Sequence, residues 1–142
     1  MPINIIRTTD GWWRLDGDQA VRIDTAAQTT RELLAERSAI DAASGTGTNV
    51  AELQLLSPIT APCRVVAQLL NYRSHAIDAG SDPKTLQPTF FRKSSASISG
   101  PNNPIRQPPE VALLDYEIEL GVVAGADIPI GTTVTDDNLA SY

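Results

Sequence analysis

From Leu114 to Val122 the chain alternates without a break. Leu114, Tyr116, Ile118, Leu120 and Val122 share one parity, and Asp115, Glu117 and Glu119 share the other. Strand side chains point to opposite faces with period two, so the pattern predicts a strand over 111–123. One face is apolar and suited to a core; the other carries three carboxylates. Neighbouring acids on that face stand about 6.7 Å apart, from the rise per residue. At an effective dielectric near 20 they repel by about 2–3 kcal/mol. Two arrangements relieve that repulsion. A divalent cation reverses its sign, or the face lies in water on an edge strand, where charge also blocks edge-to-edge pairing. Glu117 and Glu119 can each offer an oxygen to one ion at about 2.1 Å, the distance Mg²⁺ requires. Oxygen donors without a His or Cys cluster point to Mg²⁺, Mn²⁺ or Ca²⁺ rather than zinc.

The rest of the chain supplies a setting for this strand. Short apolar clusters over 3–23, broken at Asp10-Gly11 and Asp16-Gly17, predict short strands joined by tight turns. Residues 29–40 read as one amphipathic helix, with Leu33, Leu34 and Ile40 among charges and Thr29 or Thr30 as N-cap. The Gly-rich segment 43–48 is a loop. A boundary is expected at Ser57-Pro58, dividing a small β-rich accessory module, 1–57, from a part that carries the chemistry, 58–142. In the second part, 64–70 holds Val65, Val66, Leu69 and Leu70, which suits a strand buried on both faces. A short helix or turn follows through His75, then a strand over 89–92. Asp136 and Asp137 open a helix-like segment, and the sequence ends within its first turns. The expected class is α+β, mostly β, with the second part truncated.

His75 and Asp78 fall on one face if 73–79 is helical. A carboxylate that accepts the imidazole N–H fixes the tautomer and leaves the other nitrogen free as a base. The alternative is a surface histidine with an acidic neighbour by chance. Arg92 and Lys93 follow Phe90-Phe91 and can hold a carboxylate or an oxyanion, or form a solvated strand end. Cys63 is the single cysteine, so no internal disulfide forms and a small buried thiol is expected.

Three segments occur together in order: Val65 to Asp78 with Asn71-Tyr72 before His75, then Phe90-Phe91-Arg92-Lys93, then Leu114-Asp115-Tyr116-Glu117-Ile118-Glu119-Leu120. Jointly they resemble the fumarylacetoacetate hydrolase family over most of 55–142. The resemblance implies the first part of that family's mixed β-roll. It also implies hydrolysis, decarboxylation or isomerisation of a β-dicarbonyl or acylpyruvate-like acid. Glu117 and Glu119 would ligate a divalent metal, most simply Mg²⁺. His75 would be the general base, with Asp78 orienting it, and Tyr72, Arg92 and Lys93 would contact substrate. The intact protein would be a homodimer. Asp78 stands where Glu is usual, Leu69 where Gly is common, and Ser94 where Pro is frequent. The family's third metal-ligating Asp is absent, so these 142 residues are expected to be an inactive fragment.

Two other readings stay open: a non-catalytic remnant serving as an interaction module, and a small acidic Ca²⁺-binding β-domain. A formal net charge of −6 with scattered Lys and Arg argues against nucleic acid or an anionic membrane as partner. No signal-like or spanning apolar run is present, so the expected compartment is the cytoplasm.

Overall fold

A computed structural model describes residues 3–141. The chain divides into two compact units, Met1–Pro58 with Gly100–Tyr142, and Ile59–Ser99. The class is mixed α+β with sheet the larger share.

In the first unit β1 (Asn4–Thr8), β2 (Gly11–Asp16) and β3 (Gln19–Arg22) form an antiparallel meander. Thr8 faces Gly11 and Asp16 faces Gln19, so each turn has two residues. The first turn, Thr9-Asp10, lies one residue before the expected Asp10-Gly11 step. The second contains Gly17 at φ 61, a left-handed conformation that favours glycine. Two short strands, β4 (Thr48–Asn49) and β5 (Leu55–Leu56), complete a sheet of order β4-β3-β2-β1-β5.

The single helix expected over 29–40 is two. α1 (Thr30–Ala35) and α2 (Arg37–Ala42) meet at Glu36, whose φ of −99 and ψ of 47 leave the helical region. The Glu36 carboxylate accepts a hydrogen bond from the Thr25 hydroxyl at 2.5 Å, an interaction outside either helix. The break still leaves Leu33 and Ile40 in one core with Trp12, Ile23, Ala27 and Ala43. Within that core the Trp12 indole N–H donates to the Ala27 carbonyl at 2.9 Å, so the large ring is buried with its polar atom paired.

The second unit holds β6 (Val65–Leu69), α3 (Arg73–Asp78) and β7 (Thr89–Lys93). β6 and β7 pair antiparallel as a ribbon, Val65 opposite Lys93 and Leu69 opposite Thr89. The expectation that β6 is buried on both faces fails, since Val66 is 60% exposed. A two-strand ribbon cannot cover its own faces, so apolar content alone did not imply burial. α3 buries Ala76 and turns the rest of its short surface outward.

The acidic segment departs furthest from its sequence pattern. No strand forms over 111–122; only Val123–Ala124, β8, is paired, with β9 (Leu139–Ser141). A strand exists through ladder hydrogen bonds to a neighbour, and alternation supplies none. Among the described residues the apolar parity of this segment is uncovered, with Tyr116 82% and Ile118 87% exposed. The helix expected from Asp136 is a single 3-10 turn, Asp136–Asn138, that runs directly into β9. Tyr142 lies outside the described residues.

One local device in the first unit has a pH signature. Thr29 caps α1: its side chain accepts from the Glu32 N–H, and Glu32 reaches back to the Gln28 and Thr29 N–H groups at 2.7 and 3.0 Å. The Gln28 N–H is the main cause holding the Glu32 carboxyl below the ordinary glutamate value, followed by the Thr29 N–H. A depressed folded pKa contributes stability that is fully present above the ordinary value and is lost as pH falls through the lower folded one. Carboxyl-carbon NMR is expected to show Glu32 titrating below ordinary glutamate, and Glu32→Gln to flatten this part of the stability–pH curve. An unchanged curve in that variant would contradict the cap.

Candidate functional site

β6 ends at Leu69, and Leu70, at φ 50, turns the chain toward α3. Tyr72 is the N-cap residue of α3, with its carbonyl accepting from the Ala76 N–H at 3.0 Å. His75 and Asp78 both lie within the helix, at the i, i+3 spacing that puts them on one face. Both are exposed. Among the described residues the His75 ring and the Asp78 carboxylate form no ion pair with each other; the pairs present are Arg31 with Asp127 and Arg37 with Asp41. The helix thus aligns base and acid without joining them.

Arg92 and Lys93 are neighbours in sequence but diverge in space, because adjacent positions of β7 point to opposite faces. The Lys93 ammonium lies over the Phe91 ring, 5.6 Å from its centroid. Phe91 is two residues earlier on the same face, which makes this a cation–π contact across one pleat. Only one of the two cations can therefore serve a ligand on a given side of the ribbon.

Glu117 and Glu119 are exposed, in the segment that forms no strand. Beside them the Tyr116 N–H donates to the Asp115 carboxylate at 2.9 Å, which engages one oxygen of the acidic row locally. These acids belong to the first unit, whereas Tyr72, His75, Asp78, Arg92 and Lys93 belong to the second. As donors the two glutamates fit a hard divalent cation. Among the described residues, however, no group of three or more His, Cys, Asp or Glu is placed to hold a metal ion. Donor chemistry fits; the donor set does not.

Two cations that the sequence patterns did not mark, Arg73 and Lys84, line a cleft in the second unit. They stand on either side of a turn with no shared spacing, so only the folded chain brings them to one place. No helix among the described residues is long and apolar enough to cross a membrane.

The family model described as fumarylacetoacetate (FAA) hydrolase C-terminal matches residues 64–139, just over half of the chain. Protein Rv2993c of Mycobacterium tuberculosis is 31% identical over 147 residues, covering 100% of this chain and 53% of that protein. The mitochondrial oxaloacetate tautomerase fahd2 of Xenopus laevis is 38% identical over 73 residues, 51% of this chain and 23% of that protein. A 2,4-didehydro-3-deoxy-L-rhamnonate hydrolase of Sphingomonas is 36% identical over 90 residues, 58% and 31% respectively. The chain thus spans about half the length of the mycobacterial relative and matches smaller shares of the other two. No solved structure matches it.

Two exposed glutamates without a third ligand bind a cation weakly, which makes the melting of the 142-residue chain a test. Its thermal midpoint is expected to be the same in excess EDTA as in millimolar MgCl₂. A rise of about 4 °C, on the order of 1 kcal/mol of linkage for a chain this size, would reveal a formed site.

Proposed function

The chain belongs to the fumarylacetoacetate hydrolase family, and from that premise we propose that the intact protein is a metal-dependent enzyme acting on a β-dicarbonyl or acylpyruvate-like acid. The observation that carries this proposal is the extent of the family match. Residues 64–139 take in Tyr72, His75, Asp78, Arg92, Lys93, Glu117 and Glu119 together. The two activities named among its relatives, a hydrolase of a didehydro-deoxy sugar acid and a tautomerase of oxaloacetate, support an oxo-acid substrate. In this proposal the β-rich residues 1–57 are an accessory module and 58–142 begin a catalytic β-roll. The full protein is a cytoplasmic homodimer.

His75 is the proton carrier. An exposed imidazole on a short helix takes a proton from water as its oxygen attacks a carbonyl; the C–C bond then breaks, its electron pair delocalises onto the oxygen of the departing enolate, and the imidazolium returns the proton to that carbon. Asp78, on the same helix face, orients the ring and supports the imidazolium once the two side chains turn toward each other. Lys93 or Arg92, on opposite faces of β7, meets the substrate carboxylate, and Tyr72 borders it. Glu117 and Glu119 are the proposed ligands of a divalent cation, Mg²⁺ first and Mn²⁺ or Ca²⁺ as alternatives. Its other positions would be filled by oxygen ligands besides these two carboxylates. When bound, such an ion supplies Lewis-acid stabilisation of developing oxyanion charge.

A second reading follows from the tautomerase names, which several vertebrate relatives carry. There His75 would take its proton from carbon rather than water, and no bond between carbons would break. Product analysis separates the two: cleavage yields two acids, whereas tautomerisation interconverts keto and enol forms of one.

For the intact protein, Glu117→Ala and Glu119→Ala are each expected to abolish Mg²⁺-dependent turnover of an acylpyruvate while leaving the melting midpoint close to wild type. His75→Ala is expected to lower kcat by about a hundredfold or more, the usual scale for a general base. Full activity after chelation would exclude the metal role. An unaltered pH–rate profile in the His75 variant would remove that residue from the mechanism.

A further inference from the structure

In the unit Ile59–Ser99 a cleft of about 270 Å³ opens between the end of β6 and the turn that leads to β7. Its polar wall is made by Gln68, Asn71, Arg73, Lys84 and Gln87, and leucine and proline side chains form the remainder. From this lining we propose that the cleft is a binding site for a short-chain carboxylate.

The charge of the lining gives the ligand its sign. The chain as a whole carries 17 acidic and 11 basic residues, yet two cations and no acid line this cleft. Neither Arg73 nor Lys84 takes part in the ion pairs formed among the described residues, which join Arg31 to Asp127 and Arg37 to Asp41. The nearest acid in sequence, Asp82, is engaged by backbone: its carboxylate accepts from the Lys84 N–H at 2.9 Å, and its carbonyl receives the Thr85 and Leu86 N–H groups. That turn fixes where Lys84 starts, while its ammonium joins no ion pair among the described residues.

Shape and donor chemistry narrow the class. A guanidinium presents paired N–H donors that match the two oxygens of a carboxylate, and the glutamine and asparagine amides add neutral donors. The leucines and prolines suit a short apolar chain behind the anionic head. At about 270 Å³ the cleft lies just under the ~300 Å³ at which pockets for drug-sized ligands begin, a size that suits a small acid. Leu70, one of the lining residues, holds φ 50, which bulky side chains rarely adopt; it turns the chain out of β6 so that Gln68, Asn71 and Arg73 border one space. Arg73 and His75 are two positions apart, about 200° round a helix, so α3 presents the bound anion to Arg73 and not to His75.

The test is an NMR titration of the isotope-labelled 142-residue chain in EDTA, with sodium butyrate, butyramide and inorganic phosphate as probes. Butyrate is expected to give saturable shifts at the amides of Asn71, Arg73, Lys84 and Gln87, and butyramide none. Arg73→Gln and Lys84→Gln are each expected to weaken binding about tenfold, one lost charge-assisted contact, with the remaining spectrum unchanged. Arg31→Gln, which removes an exposed cation elsewhere, is expected to bind as the parent chain does. The proposal is overturned by equal binding of butyramide, by phosphate binding in place of butyrate, by equal weakening in Arg31→Gln, or by no saturable shift. None of these readouts uses turnover, so their failure leaves the catalytic proposal to its own test.

Discussion

Backbone pairing governs which parts of this chain acquire a definite form. Each strand rung satisfies N–H and C=O groups that would otherwise need water, and a segment without a neighbour keeps its groups solvated however well its side chains alternate. The meander of β1, β2 and β3 finds its neighbours through two-residue turns, whereas β1 meets β5 and β6 meets β7 across longer stretches of chain. Residues 111–122 carry the strongest strand pattern in the sequence and pair with nothing among the described residues. Pairing, rather than pattern, separates the two outcomes.

That distinction explains what was legible in advance. Trp12, Ile23, Leu33 and Ile40 were readable as apolar positions between Asp-Gly steps and along an amphipathic helix, because turn and helix signals are local. The same locality gave the placement of His75 and Asp78 on one helical face and of residues 89–92 in a strand. The break at Glu36 was not legible, and neither was the bond its carboxylate makes there, since sequence spacing does not link the Thr25 hydroxyl to the helix. Nor was the exposure of Val66, because composition states how apolar a strand is and not what covers it. Arg73 and Lys84 were invisible for a similar reason: a cleft is a property of two segments at once.

The proposed catalytic groups show the same division. The family match spans all of them, and the second unit holds His75, Arg92 and Lys93 in formed secondary structure. The acids proposed for the metal are in a segment whose apolar parity is open to solvent. Carboxylates two residues apart converge on an ion only when a strand holds both on one face. Ordering 111–122 against a neighbour would therefore do two things at once, covering Tyr116 and Ile118 while aligning Glu117 with Glu119.

The pairing of β1 with β5 has a consequence of its own. It joins Arg7 and Thr8 to Leu56 and Leu55, the two ends of the first module, through only two residue pairs, with the Arg7 guanidinium adding a bond to the Ser57 carbonyl at 3.4 Å. Closing so long a loop costs more chain entropy than closing either hairpin, while the rungs gained are fewer. This seam is thus the weakest ladder per unit of entropy spent. Opening there would loosen the exit of the chain from the module, yet leave the meander and its tryptophan core intact.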